Sequence, residues 1–284
     1  MIASTPSTLR PRIHRTRSKL VDGWTKLGDQ AAFYGKSLVS IGDVLRNYRL
    51  ELVRIIAQMS MGSGALAVVG GTVAIIGFLT LSAGALIAVQ GYHSLSNIGI
   101  EALTGFVSAY LNVRLIAPLI AGVGLAATIG AGATAQLGAM RINEEIDAME
   151  VIGIRSVAYL ASSRVIAGVI VVVPLYSIAV LMSFFAARFG TTAIYGQSRG
   201  VYDHYFSTFL NPSDMLWSCF TAVVMAIVIM LVHTYYGFTA TGGPAGVGEA
   251  VGRAVRTSLV TSVFVVLALT LAIYGQSPDV NLSG

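Results

Sequence analysis

The chain has 284 residues, of which 55% are hydrophobic and only 11% are charged. A soluble domain carries about 25% charged residues, so this composition excludes an ordinary water-soluble globule. The single cysteine, Cys219, excludes an intrachain disulfide and a disulfide-stapled fold.

The first 60 residues hold ten of the 18 lysines and arginines. Residues 1–30 are predicted to be a basic, flexible cytoplasmic arm. Residues 31–60 are predicted to form one amphipathic helix, because apolar side chains recur at steps of three and four: Tyr34, Leu38, Ile41, Leu45, Tyr48, Leu52, Ile55 and Met59. We expect this helix to lie in the inner membrane interface. The alternative is a helix that packs on the protein itself.

Five long runs that lack Asp, Glu, Lys and Arg follow, and each exceeds the roughly 20 apolar residues that cross a bilayer. Each run must be helical, because lipid cannot satisfy exposed backbone N–H and C=O groups. The predicted spans are Ala65–Val89, Asn112–Ala139, Val157–Ala187, Met215–Tyr236 and Thr257–Tyr274. An outer loop, Gln90–Thr104, is expected between the first two. The sequence therefore predicts an all-α integral membrane protein with five transmembrane helices.

Lysine and arginine are distributed unevenly around these spans. Ten precede the first span, and five more follow the second and fourth spans: Arg141, Arg155, Arg164, Arg253 and Arg256. The positive-inside rule places the N-terminus in the cytoplasm and the C-terminus outside, in the plasma (inner) membrane. Anionic headgroups account for the basic excess, so no nucleic-acid partner is expected.

Sequence motifs for catalysis or metal binding are missing. There is no G-x-G-x-x-G before a helix, no H-E-x-x-H and no C-x-x-C, and the four histidines are scattered: His14, His93, His204 and His233. No acidic residue lies inside a predicted span, which disfavours a proton-driven carrier. We therefore expect no catalytic, cofactor or metal site in this chain, and no enzyme activity.

The segment between the second and third spans is predicted to form a short capped helix. Asn143 is the expected N-cap, and three carboxylates in the first turn oppose the positive end of the helix: Glu144, Glu145 and Asp147. Gly153 suits the C′ position that ends it. Ile142, Ile146 and Met149 form one apolar stripe. The segment is either a solvated connector or a docking element for a cytoplasmic partner.

A second loop, Arg188–Pro212, is predicted on the outer side and is rich in aromatic residues. Aromatic side chains favour the membrane–water interface, and they are also enriched at protein interfaces. Two interpretations therefore stay open, anchoring in the membrane and contact with a lipid or an outer partner. The residues assigned to such a contact are Tyr195, Tyr202, Tyr205, Phe206 and Phe209.

The stretch from Leu137 to Ile154, which reads LGAMRINEEIDAMEVIGI, resembles the signature of the MlaE/YrbE permease family. Tyr159-Leu160, Ser163-Arg164-Val165 and the Arg114–Pro118 segment of the glycine-rich second span fit the same pattern. The family often has arginine where this chain has Val123, and proline where it has Ser163. Residues 61–284 are accordingly taken as an MlaE-like permease domain. The long basic N-terminal region is similar to that of YrbE permeases in actinobacterial Mce lipid-uptake systems.

This resemblance implies a permease subunit of an ABC transporter that moves fatty acids, mycolic-type lipids or sterols across the inner membrane, as an importer. It implies four kinds of partner: a second YrbE-type permease in a dimer, preferably a heterodimer; a cytoplasmic ATPase dimer that binds ATP and Mg; outer MCE-domain proteins; and the lipid. The ATPase would contact a coupling helix comprising Asn143, Glu144, Glu145, Ile146, Asp147, Ala148, Met149, Ile152 and Gly153. The alternative is a non-transporting scaffold subunit that assembles an MCE-protein complex.

Overall fold

The computed structural model describes residues 25, 27–61 and 67–275, and every regular element in these residues is a helix. Residues 1–24 of the predicted basic arm lie outside the described residues. Three short helices come first: α1 (27–39), α2 (Ile41–Asn47) and α3 (Arg49–Met61). Seven follow: α4 (Ala67–Ser96), α5 (Glu101–Ile142), α6 (Glu145–Val151), α7 (Val157–Ile194), α8 (Arg199–Phe209), α9 (Pro212–Phe238) and α10 (Gly243–Tyr274).

Five of these helices, α4, α5, α7, α9 and α10, are long and apolar enough to cross a membrane, which confirms the predicted number of spans. The helix α6 joins α5 to α7, and we call this side of the bundle the α6 end. The helix α8 joins α7 to α9 on the opposite side, which we call the α8 end.

The spanning helices extend further than the apolar runs that predicted them. The helix α4 continues to Ser96 and α5 begins at Glu101, so the predicted loop Gln90–Thr104 shrinks to residues 97–100. Polar side chains at such ends bond within the helix, as Gln90 Nε2 does to Ser94 Oγ at 3.1 Å. Hydropathy marks the apolar part of a helix and not its end, so the predicted boundaries were too short.

Pro118 lies inside α5, two residues after a wider, π-helical turn, Asn112–Ile116. Proline lacks an N–H group, and its ring clashes with the carbonyl four residues earlier, here that of Arg114. A wider turn at this point moves that carbonyl away and lets the helix continue. The same helix contains a second wide turn, Ala126–Gly130, in its glycine- and alanine-rich part.

Small residues bring the spanning helices close together. A Cβ atom built at Gly84 of α4 would lie 2.3 Å from the carbonyl oxygen of Ser183 in α7. One built at Gly168 of α7 would lie 2.4 Å from Met230 of α9. Such approach of backbones is how helices associate where lipid removes the hydrophobic driving force. The core between the helices is aliphatic and fully buried, and includes Ile76, Leu125, Val172, Met225 and Met230.

The single amphipathic helix predicted for residues 31–60 is divided into α1, α2 and α3, with breaks at Ser40 and Tyr48. The break at Tyr48 turns the chain so that Val44 and Leu52, on either side of it, both pack on Ala158 of α7. The alternative interpretation, a helix that packs on the protein itself, holds for part of this region, and its place in the membrane interface stays a prediction. Val44 and Leu52 are buried on the protein, whereas Val39 and Leu50 are exposed.

Candidate functional site

The helix α6 is bounded by two residues with left-handed backbone conformation. Glu144 precedes it with φ of 60°, and Gly153 follows it with φ of 84°. The prediction that Asn143 is the N-cap is wrong, because Asn143 ends α5 and Glu144 takes the position before α6. The amide of Asn143 instead donates to Glu145 Oε1 at 3.4 Å. The turn between α5 and α6 needs only two residues, Asn143 and Glu144, because Glu144 adopts a conformation that non-glycine residues rarely take.

The end of α6 follows the prediction for Gly153. Its N–H donates to the carbonyl of Glu150 at 3.0 Å, and the N–H of Ile154 donates to the carbonyl of Met149 at 3.0 Å. This pair of bonds is the Schellman arrangement, in which a residue at positive φ closes the helix. Glycine is favoured here because it has no Cβ to strain that conformation.

One face of α6 packs on the protein. Ile146 is fully buried and forms a cluster with Leu137 of α5 and Leu160 of α7, and Met149 packs beside them. Arg141 Nη1 donates to Asp147 Oδ1 at 2.5 Å, which ties the helix to the end of α5. The apolar stripe seen in the sequence therefore anchors α6 to two spanning helices.

The opposite face of α6 is open. It carries acidic and small side chains together with two large apolar ones, Val151 and Ile152, which are 87% and 73% exposed. The other exposed positions are Asn143, Glu144, Glu145, Asp147, Ala148, Glu150 and Gly153. Val151 was missed in the sequence, because it lies off the stripe that Ile142, Ile146 and Met149 define. We call this set of exposed residues the α6 face.

At the α8 end, the predicted outer loop Arg188–Pro212 is mostly helical. The helix α7 continues to Ile194, and α8 occupies residues Arg199–Phe209. Tyr202 is buried, and its hydroxyl donates to Ser108 Oγ of α5 at 2.9 Å. Burial raises the pKa of the Tyr202 hydroxyl to about 12, so this donor stays protonated. Tyr202 thus holds α8 on α5 and presents no surface to a partner.

The other aromatic residues assigned to this region also make contacts within the chain. Phe206 packs edge-on against Phe184, Phe209 packs against Phe106, and Tyr195 stacks on Tyr92 with ring centroids 4.7 Å apart. Tyr205 lies beside His204, which is exposed. The contacts of Phe206 and Phe209 hold α8 against α7 and α5.

Two interhelical polar clusters were not foreseen from the sequence. Arg114 of α5 pairs with Asp214 of α9 at the α8 end, with Nη2 2.9 Å from Oδ2. Deeper in the bundle, the ring of His233 in α9 lies between Thr134 of α5 and Ser258 of α10. The only sequence signal for the second cluster was a histidine within an otherwise apolar run. Within the described part of the chain, no group of three or more metal-ligating side chains occurs.

The five long apolar helices, with a short capped helix between the second and third, define a polytopic membrane protein. Residues 61–272 match the family described as Permease MlaE, so the chain belongs to the MlaE permease family. It is therefore an ABC transporter permease, and membership in this family implies a separate ATPase and a permease dimer.

Named relatives agree with this assignment. A probable ABC transporter permease of Rickettsia bellii is 28% identical over 65% of this chain and 71% of its own length. The chloroplastic protein TRIGALACTOSYLDIACYLGLYCEROL 1 of Arabidopsis thaliana is 28% identical over 62% of this chain, and the match spans about half (51%) of the plant protein. A probable ABC transporter permease of Synechocystis is 27% identical over 51% of this chain and 56% of its own length.

Proposed function

We propose that this permease carries lipids across the inner membrane as part of an Mce-type ABC importer, with α6 as the helix that receives the movement of the ATPase. The observation that carries this proposal is the two-sided structure of α6. Ile146 anchors it to α5 and α7, while Val151 and Ile152 project from an acidic surface with no covering in the described chain. A helix held in this way can transmit a movement of the bound ATPase to the spanning helices α5 and α7.

The proposed cargo is a lipid. One relative is named for trigalactosyldiacylglycerol, a galactolipid, which supports lipid as the substrate class. The bundle presents apolar surfaces over much of its length, which suits a hydrophobic cargo. Fatty acids, mycolic-type lipids and sterols are the candidates within this class.

The helix α10 is proposed to contact either lipid or the second permease chain, a YrbE-type partner in a heterodimer. Among the spanning helices it has the smallest buried share, 17% of its most apolar stretch. Its large exposed apolar side chains lie on one face of the helix: Val260, Val263, Phe264, Leu267 and Leu271. On the opposite side of the membrane from the ATPase, α8 is the proposed platform for MCE-domain proteins.

The direction of the chain in the membrane is part of this proposal. The α6 end is assigned to the cytoplasm, because the arginines that follow the second and fourth spans lie there. This puts the N-terminus inside, and the C-terminus outside. A cysteine introduced at Glu144 should react with a membrane-impermeant maleimide in inside-out vesicles and not in intact cells.

Reconstitution with the ATPase that co-purifies with this chain tests the transport function. We expect ATP-dependent transfer of a fluorescent fatty acid or sterol between vesicles, and loss of both ATPase binding and transfer when Glu144, Glu145 and Asp147 are all changed to lysine. Glu249→Lys, which reverses an exposed charge on α10, is the control and should leave both intact. A complex that assembles but transfers no lipid under ATP would favour the scaffold alternative.

A further inference from the structure

A cavity of about 540 Å³ lies at the α6 end, between α3, α5, α6 and α7. Its wall contains two cationic and two anionic side chains, Arg54, Arg164, Glu51 and Glu145. Each of the four helices contributes to the lining. A change in the position of α6 therefore changes the volume of this cavity.

Arg164 of α7 is the most deeply placed of these charges, with 6% of its surface exposed. Its Nη1 donates to the carbonyl of Leu160 at 3.0 Å, and its Nη2 lies 3.5 Å from Gln136 Oε1. Across the described residues, no carboxylate oxygen lies within 4.0 Å of its guanidinium. A guanidinium has five N–H donors, so most of them have no protein acceptor in this conformation.

The charge of Glu51 acts on Arg164 from a distance, but Arg164 makes no direct ion pair, so a state with such a pair can improve on this conformation of the cavity. An external anion is disfavoured, because two carboxylates already balance the two guanidinium groups of the wall. The counter-ion is therefore expected among the wall residues themselves. Glu51 pairs with Arg54 of its own helix at 3.5 Å, and its charge also acts on Arg164 without a direct contact. Glu145 accepts a hydrogen bond from the side-chain amide of Asn143 at 3.4 Å, and it is the wall carboxylate that α6 carries, so a movement of α6 changes its distance from Arg164.

The position of Glu145 connects this pair to the ATPase. It is the first residue of α6, directly after Glu144, whose left-handed backbone forms the joint between α5 and α6. We propose that Glu145 and Arg164 form an ion pair when α6 moves toward α7, and that closure of the cavity transmits the movement of α6 to α7. This inference rests on the proposed function, since it assumes that an ATPase moves α6.

A cysteine pair across the cavity measures the closure directly. Gln58→Cys on α3 and Met149→Cys on α6 both line the cavity and leave Glu145 and Arg164 in place. The pair is placed in a Cys219→Ser background, in the complex with the co-purifying ATPase in lipid nanodiscs. We expect the yield of a short bifunctional crosslink to rise with ADP–vanadate, and Glu145→Gln to abolish this rise. Glu249→Gln, which removes an exposed charge on α10 outside the α6 face, should preserve it.

A double-mutant cycle tests the pair through transport. Glu145→Gln and Arg164→Gln should each lower the ATP-dependent transfer of a fluorescent lipid about tenfold, the change expected from loss of one charge-assisted hydrogen bond. The double variant should be no slower than either single variant, because both remove the same interaction. Arg164→Lys keeps the charge and should recover part of the rate.

The outcomes separate this inference from the proposed function. If no ATPase binds the chain, the proposed function fails before closure is measured. The complex could assemble and transfer lipid while the crosslink yield stays the same with and without ADP–vanadate. That result would overturn the closing ion pair and leave the proposed function standing. Additive effects of Glu145→Gln and Arg164→Gln on the transfer rate would also overturn it.

Discussion

The guanidinium of Arg114 donates two hydrogen bonds to one carboxylate oxygen of Asp214, from Nε at 3.2 Å and from Nη2 at 2.9 Å. The same guanidinium lies over the rings of Tyr110 and Tyr274, 4.3 and 4.1 Å from their centroids. One cation thus connects α5, α9 and α10 at the α8 end. Long basic side chains near a helix end commonly extend to the membrane surface, but here the charge is retained inside the bundle.

We predict that Asp214→Asn lowers the free energy of unfolding in detergent by about 1–3 kcal/mol, between the values typical of exposed and of buried ion pairs. The loss comes from leaving a half-buried guanidinium without its counter-ion. Denaturant unfolding followed by circular dichroism measures it. The control is Asp203→Asn, which breaks the exposed pair with Arg188 and should cost less than about 1 kcal/mol. Equal losses for the two variants would show that the Arg114 pair gains nothing from its partial burial.

Some of these features could be read from the sequence and others could not, for physical reasons. Apolar runs long enough to cross a bilayer identify spanning helices because lipid leaves the backbone no alternative. The end of α6 was predictable because a local rule, glycine at positive φ, determines it. The pair of Arg114 and Asp214 joins residues 100 positions apart, and no local pattern encodes such a contact. The break at Tyr48 depends likewise on packing against α7, which periodicity alone does not contain.

The contact between α4 and α7 depends on the absence of a side chain at Gly84. A Cβ there would lie 2.3 Å from the Ser183 carbonyl oxygen and 2.9 Å from Ala186 Cβ. The backbone of α7 can relieve such a clash only if the whole helix shifts. We predict that Gly84→Ala separates the two helices and lowers the free energy of unfolding by about 1–3 kcal/mol. Gly77→Ala in the same helix is the matched control, since a Cβ there meets nothing within 4 Å. Its effect should be neutral or slightly stabilising, and a comparable loss at both positions would contradict the steric explanation.

The two faces of α6 should respond differently to the same type of truncation. Ile146→Ala removes a fully buried side chain and should lower the free energy of unfolding by about 2–4 kcal/mol. Ile152→Ala, on the α6 face, should change it by less than about 0.5 kcal/mol. The order reverses for ATPase affinity, where we expect Ile152→Ala to weaken binding by about 1–2 kcal/mol, or roughly 5- to 30-fold. Titration of detergent-purified permease with the ATPase measures this, and unchanged affinity for the Ile152 variant would exclude that side chain from the docking surface.

The cluster around His233 shows how a polar side chain is accommodated in the bundle. Nδ1 of His233 lies 2.7 Å from Thr134 Oγ1, and Nε2 lies 3.1 Å from Ser258 Oγ, so both ring nitrogens have partners on neighbouring helices. Space for the ring comes from Gly130, where a Cβ would lie 2.7 Å from His233 Cδ2. The histidine therefore links α5, α9 and α10 through the hydrogen bonds of its two ring nitrogens.

Thr134→Val tests that link because it keeps the volume of the side chain and removes only the hydroxyl. His233 Nδ1 then loses its partner, and we predict a loss of about 0.5–2 kcal/mol in the free energy of unfolding, the range for hydrogen bonds between membrane helices. Thr80→Val is the matched control, because the buried hydroxyl of Thr80 donates at 2.8 Å to Ile76, a carbonyl of its own helix. Its removal breaks no contact between helices, so its cost should be smaller. If both variants unfold at the same denaturant concentration as the unmodified chain, the cluster contributes packing alone.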